Sequence, residues 1–345
     1  FDTPWHIREE GIYSLEQGRT FYTSNAGLKE LKEEICKYLK KSQNIKYNEH
    51  EVFITVGGSE AIDVALRAML DPGDEVLIPQ PSYVSYEPCT ILAGGKPVII
   101  ELKEDNEFRL TKEELLNAIT DKTKILVLPF PNNPTGAIME KEDLMDIAEV
   151  VKEKDLYVLS DEIYSELTYS GKHVSIASLP GMKERTVLIN GFSKAYAMTG
   201  WRLGYAAAPE AILEQMLKIH QFAIMCAPTT SQYAAVEALR NGAPDVKKMR
   251  DSYNQRRRFL LNEFEKIGID CFTPYGAFYT FPSIKKFGMS SDEFAERLLK
   301  EQKVAVVPGT AFGACGEGYL RISYAYSIED LKLALERIAA FINSL

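Results

Sequence analysis

Residues 191–204 read Gly191-Phe192-Ser193-Lys194-Ala195-Tyr196-Ala197-Met198-Thr199-Gly200-Trp201-Arg202-Leu203-Gly204. This stretch follows the apolar run Val187–Ile189, which predicts that Lys194 lies in a loop at the end of a strand. Open α/β sheets bind ligands at strand ends. A lysine amine there can form a Schiff base with a carbonyl cofactor if its pKa is lowered. Arg202 lies close enough along the chain to return and hold a phosphate.

Short apolar runs alternate with helical segments on both sides of this stretch. The runs predicted to be strands are Val52–Val56, Glu75–Ile78, Pro97–Leu102, Ile125–Leu128, Leu156–Ser160, Val187–Ile189 and Leu203–Ala207. The segments with helical periodicity between them are Leu28–Leu39, Glu60–Leu70, Thr111–Ile119, Lys141–Lys152 and Glu210–Phe222. This alternation predicts a mainly parallel sheet that is covered by helices on both faces.

The pattern changes after about residue 245. Helices are predicted at Val246–Lys266, Asp292–Glu301 and Ile328–Asn343, and strands at Ile269–Phe272, Ala277–Phe281, Val304–Val307 and Tyr319–Tyr324. A chain of 345 residues is also too long for one ordinary core. We therefore expect a large domain over 23–245 and a smaller α+β domain over 246–345. The abrupt start at Phe1 suggests that residues 1–22 are the remnant of an N-terminal arm.

The composition disfavours several classes of protein. The net charge of −9, without a basic block, disfavours binding to nucleic acid. No apolar run approaches the roughly 20 residues that a membrane helix needs. The five scattered cysteines favour a reducing, cytoplasmic compartment over a disulfide framework or a thiolate metal site. The four histidines form no i, i+4 pair, so no metal site is expected.

Polar and aromatic residues follow several of the predicted strands. The turn Gly57-Gly58-Ser59-Glu60 precedes a helical segment, and the free N–H groups at the start of a helix can bind an anion. Glycines in such a position more often simply form a tight turn. Tyr83, Asn133 and Asp161 each follow a strand, and Tyr164 comes three residues after Asp161. Taken singly, such residues are more often packing, turn or capping residues. Arg321 lies within a strand and is either an exposed edge residue or a clamp for a carboxylate.

Residues 191–204 resemble the lysine signature of the class I and II aminotransferases, which are pyridoxal-phosphate-dependent enzymes of fold type I. The other motifs follow in the family's order, so the resemblance extends over nearly the whole chain. It implies the PLP-transferase fold, with a mainly parallel seven-stranded sheet in an α/β large domain and a smaller α+β C-terminal domain. It also implies transfer of an amino group between an amino acid and a 2-oxo acid by a homodimer that shares its active sites.

The resemblance assigns the cofactor's ring to four residues. Lys194 is expected to carry pyridoxal 5′-phosphate and to act as the proton-transferring base. Asp161 matches the carboxylate that pairs with the pyridine nitrogen and keeps it protonated, so that the ring can accept electrons. Tyr164 matches the hydroxyl that bonds the phenolic oxygen, and Tyr83 matches the aromatic residue that stacks on the ring. Lys194, Asp161 and Tyr164 are thus the expected catalytic residues.

The same resemblance assigns the phosphate and the substrate. The cofactor phosphate is expected on the backbone of Gly58, Ser59 and Glu60, with Ser193 and Arg202 also binding the cofactor. Tyr22 of the partner subunit is expected to reach the same phosphate. Asn133 matches the amide that bonds the phenolic oxygen and borders the substrate. Arg321 matches the guanidinium that clamps the substrate α-carboxylate.

The closest branch is that of the bacterial PatA-like aromatic, N-acetyl-diaminopimelate and aspartate aminotransferases, and the sequence leaves the amino donor open. Ser59 stands where one aspartate-type branch has a lysine, and Gly191 stands where some members have a phosphate-binding serine. A C–S β-lyase or an aminocyclopropane-carboxylate synthase with the same cofactor is the main alternative. A non-enzymatic regulator of the same fold is disfavoured because no DNA-binding module is visible and the expected residue set is intact.

Overall fold

The computed structural model describes all 345 residues and contains the predicted seven-stranded sheet. Its strands lie in the order β1-β7-β6-β5-β4-β2-β3. They are β1 (Val52–Thr55), β2 (Glu75–Gln80), β3 (Lys96–Glu101), β4 (Thr123–Leu128), β5 (Tyr157–Asp161), β6 (Thr186–Gly191) and β7 (Gly204–Ala207). Every strand predicted for this sheet is present, within two residues at each end.

The sheet is mainly parallel, as predicted, with one reversed strand. The strands β2, β3, β4, β5 and β6 pair in parallel, whereas β7 runs antiparallel to both β6 and β1. Parallel strands bring their carboxyl ends to one edge. That edge therefore collects the loops after β2, β4, β5 and β6, and the turn after β1 joins them.

Eleven helices surround the sheets. They are α1 (Trp5–Glu16), α2 (Lys29–Gln43), α3 (Gly57–Met69), α4 (Tyr86–Leu92), α5 (Lys112–Ala118), α6 (Lys141–Glu153), α7 (Glu210–Ala223), α8 (Thr229–Asn241), α9 (Ala243–Ile267), α10 (Ser291–Gln302) and α11 (Ile328–Ile342). None of them has the length and apolarity that crossing a bilayer requires.

Alternate residues of the central strands enter separate cores on the two faces of the sheet. Ile125 and Val127 of β4 pack with residues of α3 and α7, whereas Leu126 and Leu128 pack with residues of α5 and α6. A third core lies where α2 and α8 cover the β1–β7–β6 end. Burial on both faces explains why these strands are continuous apolar runs.

Three helices were not predicted from the sequence. The buried face of α8 is built largely from small and polar residues, among them Ser231, Ala234 and Ala238, so it shows no stripe of large apolar side chains. The helix α1 likewise buries only Ile7, Gly11 and Ser14. The helix α4 has seven residues, too few for a clear periodicity.

The C-terminal part combines α9, α10 and α11 with short strands around a fourth core. The strands are β8 (Asp270–Cys271), β9 (Tyr279–Thr280), β10 (Pro282–Ser283), β11 (Val307–Pro308) and β12 (Leu320–Ser323). The strand predicted at Val304–Val307 is wrong except at its last residue. Lys303 ends α10 with a left-handed φ of 59°, and the chain needs the next three residues to reach β11. The domain boundaries at residues 22 and 245 stay a prediction.

The N-terminal helix α1 packs against α8 and is tied to it by one histidine. His6 Nδ1 lies 2.6 Å from Glu237 Oε1, and Nε2 lies 3.1 Å from Asp245 Oδ2. Burial lowers the pKa of His6, but the hydrogen bonds and charges of the two carboxylates outweigh it and raise the pKa above its ordinary value. The protonated imidazole therefore holds α1 against α8 and the start of α9.

Replacing His6 by Gln should destabilise the protein most at acidic pH. Because the folded-state pKa is raised, the stabilisation is fully present below the unfolded value of 6.5 and is lost as pH rises through the folded value. We expect the melting temperature of His6→Gln to lie below that of the parent at about pH 5.5 and to approach it at about pH 8.5. The exposed His50→Gln, which removes no ion pair, is the matched control. A difference that does not change with pH would contradict the ion-pair explanation.

Candidate active site

A cavity of about 310 Å³ lies at the carboxyl edge of the sheet. Ten of the twelve residues predicted for the site line it: Gly58, Ser59, Tyr83, Asn133, Asp161, Tyr164, Ser193, Lys194, Arg202 and Arg321. They come from loops that follow several strands, from the first turn of α3 and from the strands β5 and β12. The two predicted residues that do not line it are Glu60 and Tyr22.

The turn between β1 and α3 forms one end of the cavity. The helix α3 begins at Gly57, three residues earlier than predicted, so Gly58 and Ser59 lie in its first turn with N–H groups that have no helical partner. Gly57 has a φ of 75°, and a Cβ there would lie 2.8 Å from Arg202 Nη2. The close approach of Arg202 to these N–H groups, together with the nearby Ser193, makes a cradle for an anion.

Glu60 faces away from this cradle. Its Oε2 accepts a hydrogen bond of 2.5 Å from the Val56 N–H, and its Oε1 lies 2.5 Å from Nδ1 of the fully buried His220. The side chain thus fixes the start of α3 against α7 and leaves its backbone in the first turn. Only the backbone of Glu60 was predicted to bind, and that role stays a prediction.

Lys194 projects into the middle of the cavity and has an unusual electrostatic environment. Burial lowers the pKa of Lys194, and the positive charges of Arg202 and Arg321 lower it further, while the more weakly acting Asp161 raises it. The ammonium lies 5.7 Å from the ring of Tyr164 and 5.5 Å from the ring of Phe278. A lysine with a lowered pKa is available as a neutral, nucleophilic amine.

Asp161 lies at the end of β5 and is 7% exposed. Its Oδ2 accepts a hydrogen bond of 2.7 Å from the hydroxyl of Tyr86, and its Oδ1 accepts one of 3.2 Å from the Ile163 N–H. Burial nevertheless raises the pKa of Asp161, because no cation is paired with it. A protonated ring nitrogen would supply the missing positive partner.

Tyr86 is a site residue that the sequence did not reveal. It is the first residue of α4, three residues after Tyr83, and the two rings meet edge to face with centroids 5.8 Å apart. Its side chain is 2% exposed, lines the cavity and holds the Asp161 carboxylate. The i, i+3 spacing of the two tyrosines was the available signal, but a tyrosine is not identified as a carboxylate partner until the fold brings β5 beside it.

Arg321 extends from β12 into the other side of the cavity. Its Nη1 donates to Asn133 Oδ1 at 3.1 Å, and its guanidinium stacks over the rings of Tyr279 and Phe312 at 4.6 and 4.8 Å. The Nε of Arg321 is buried without any hydrogen-bond partner. A guanidinium held flat with an unused donor is arranged to receive a carboxylate.

Two predicted tyrosines have different surroundings. Tyr164 lies deep in the cavity, and its hydroxyl is 3.0 Å from that of Tyr279. Tyr22, by contrast, is 79% exposed, and its neighbour Phe21 is 80% exposed. Tyr22 does not line the cavity of its own chain, and its predicted role in the partner subunit's site stays a prediction.

Known proteins that are similar to this chain are named aminotransferases. A family model described as aminotransferase class I and II matches residues 1–338. A putative aminotransferase of Bacillus subtilis (strain 168), YugH, is 54% identical over 99% of this chain and 89% of its own length. An aspartate aminotransferase of Pyrococcus abyssi is 49% identical over 98% of this chain and 88% of its own length.

A solved structure of an aromatic aminotransferase from Pyrococcus horikoshii OT3 superposes with a TM-score of 0.98 at 47% identity. The match covers 100% of this chain and 93% of that one. The fold inferred from the sequence is thereby confirmed.

The pKa of the Lys194 amine should lie below that of an ordinary lysine, and removing a neighbouring cation should raise it again in part. We expect Arg202→Ala to raise the pKa of Lys194, because the charge of Arg202 lowers that pKa more than the charge of Arg321 does. Competitive acetylation across a pH series, read by mass spectrometry on protein stripped of small molecules, gives the titration midpoint. Arg185→Ala, which removes an arginine paired with Asp155 far from the cavity, is the control. An unchanged midpoint in Arg202→Ala would refute the electrostatic explanation.

Proposed function

This chain belongs to the class I and II aminotransferase family and is an aminotransferase, and we propose that it works with pyridoxal 5′-phosphate carried by Lys194. The observation that carries the proposal is the lowered pKa of Lys194 between Arg202 and Arg321, in one cavity with the buried Asp161. The reaction is the exchange of an amino group between an L-amino acid and a 2-oxo acid.

The residues of the cavity fit this cofactor in charge and shape. The anion cradle of Gly58, Ser59, Ser193 and Arg202 suits a phosphate. Asp161 is a buried carboxylate without a cation, which suits a protonated pyridine nitrogen.

The remaining contacts suit the ring itself. Tyr83 offers an aromatic face, and Tyr164 and Asn133 offer a hydroxyl and an amide for the phenolic oxygen. When bound, the cofactor supplies a ring that withdraws electrons from the substrate's α-carbon.

The chain's own groups then orient the substrate and move its proton. Arg321 binds the α-carboxylate through Nη2 and the unused Nε, while its Nη1 donates to the Asn133 side chain, which keeps the guanidinium in its plane. With the cofactor bound, the neutral Lys194 amine would be the base that takes the proton from the substrate's α-carbon and, once protonated, the acid that gives it back. Tyr86 keeps the Asp161 carboxylate oriented throughout.

The amino donor is left open among aromatic, aspartate-type and N-acetyl-diaminopimelate substrates. The cavity is lined by three cations, of which Lys194 and Arg202 are assigned to the cofactor and Arg321 to the α-carboxylate. No feature of the site favours the C–S β-lyase or the aminocyclopropane-carboxylate synthase alternative, and the relatives compared above are named aminotransferases.

The active form in this proposal is a homodimer in the cytoplasm. Support for the dimer comes from the exposed aromatic side chains of Phe21, Tyr22 and Phe222, which are costly to leave in water. Tyr22 of the partner subunit would then contact the phosphate of each site. The five free cysteines support a reducing compartment.

Replacing Lys194 by Ala should abolish turnover, because both the covalent link and the proton-transferring amine are lost. The parent enzyme, given one amino acid and no 2-oxo acid, should release about one equivalent of oxo acid per site and then stop. We expect Lys194→Ala to lower the rate by more than about 10³-fold, with Lys172→Ala, an exposed lysine, as the control. Retained transamination by Lys194→Ala would overturn the assignment, and repeated release of ammonia and pyruvate from cystathionine by the parent would indicate the lyase.

Mixing two inactive variants tests the shared site. If Tyr22 serves the partner's site, a hybrid of Lys194→Ala and Tyr22→Ala subunits holds one site with both defects and one with neither. After mixed refolding of equal amounts, we expect about a quarter of the parent activity, since half of the dimers are hybrids and half of their sites are intact. The same mixture without refolding is the control. Activity that never exceeds the sum of the separate variants would contradict the shared site.

A further inference from the structure

A second open cavity, of about 550 Å³, lies between the helices α2, α8 and α9. We refer to it as the α2–α9 cleft. It shares no lining residue with the cavity around Lys194. Its volume is within the range of pockets that take small molecules, and neither the reaction nor the cofactor uses it.

The charge of the cleft is opposite to that of the chain as a whole. The chain carries a net charge of −9. The lining of the cleft contains only two carboxylates, Glu34 and Glu166. Its five cations come from three helices and are Lys37, Lys41, Arg240, Lys247 and Arg250. A concentration of positive charge on an acidic protein marks a place where an anion is attracted locally.

The ion pairs within the chain leave two of these cations available. Glu34 is shared by Lys37 and Arg240, both at 3.0 Å. Lys247 pairs with Asp251 on its own helix at 2.7 Å. Lys41 on α2 has no carboxylate partner, and the nearest carboxylate to Arg250 on α9, Asp251, is 4.0 Å away. Two cations on different helices therefore border the cleft without a close ion pair, and Glu166 is the one lining carboxylate left to offset them.

The floor of the cleft adds a neutral donor. Glu166 accepts a hydrogen bond of 2.5 Å from the hydroxyl of Tyr38, which holds the carboxylate in place but leaves its negative charge in the cleft. Tyr196 is 6% exposed, lines the cleft, and makes no side-chain hydrogen bond within the chain. Tyr196 also belongs to the loop of Lys194, two residues further along the chain. A ligand on this floor would contact the segment that carries the catalytic amine.

We propose that the α2–α9 cleft binds a small phosphate-bearing anion, held by Lys41 and Arg250 with the Tyr196 hydroxyl as a further donor. Arginine and lysine are the side chains that bind phosphate oxygens most strongly, and a hydroxyl completes such a site at little cost in charge. Because the cofactor's phosphate has its own cradle beside Arg202, the cleft is a separate site and does not compete with it.

Calorimetric titration of the pyridoxal-phosphate-loaded enzyme with pyrophosphate tests this site, because the cofactor already fills the other phosphate cradle. We expect saturable binding to the parent and a loss of roughly tenfold or more in affinity in Lys41→Ala/Arg250→Ala. The matched control is Lys40→Ala/Lys248→Ala, which removes the same charge from the same two helices outside the cleft and should change the affinity by less than about twofold. Parallel titrations with glucose 6-phosphate distinguish an organic from an inorganic ligand.

The conservative variant Lys41→Arg/Arg250→Lys guards against misfolding, since it should fold and keep most of the affinity. Absence of pyrophosphate binding to the parent would overturn the proposal. Equal binding by the parent and by Lys41→Ala/Arg250→Ala would also overturn it, since the anion would then sit elsewhere, for example on Arg321. Equal losses of affinity in Lys41→Ala/Arg250→Ala and in the matched control would show that only the net charge matters, and would reject the site.

Discussion

The site depends on three positive side chains that share one partly buried cavity with a single carboxylate. Burial and the positive charges of Arg202 and Arg321 disfavour the ionised form of Lys194 and lower its pKa. The only one of the three that can lose its proton near neutral pH is the lysine. The excess of positive charge thus both activates the amine and creates places for two anions, a phosphate beside Arg202 and a carboxylate beside Arg321.

Such a cavity needs a rigid frame, because flexible side chains would move away from one another. The frame is the sheet edge, where the turn after β1 packs directly on β7. Gly204 makes this contact possible, since a Cβ there would lie 2.6 Å from the carbonyl carbon of Gly57. On the opposite side of the cavity, Tyr86 fixes Asp161, and the side chain of Asn133 fixes Arg321. Asp161 and Arg321 are therefore each held by a neutral neighbour that lines the same cavity.

The α2–α9 cleft also has more cations than carboxylates in its lining. In both cavities the lining cations outnumber the lining carboxylates, and a donor is left unused: Nε of Arg321 in one and the Tyr196 hydroxyl in the other. Residues of one loop reach both cavities, because Lys194 lines the first and Tyr196 lines the second. The two cavities are therefore connected through the backbone of residues 194–196.

The sequence by itself determined the seven strands, the lysine and most of its neighbours. Strands buried on both faces must be apolar throughout, and the residues at their carboxyl ends must meet at one edge. Tertiary structure alone decided what depends on distant segments: the reversal of β7, the helix α8 with its small buried residues, and the contact of Tyr86 with Asp161 across 75 residues. It also decided the positive cleft, because Lys41 and Arg250 are unremarkable in sequence until two helices bring them together. Local pattern records burial and periodicity, whereas the pairing of polar groups is set by packing between elements that the pattern does not connect.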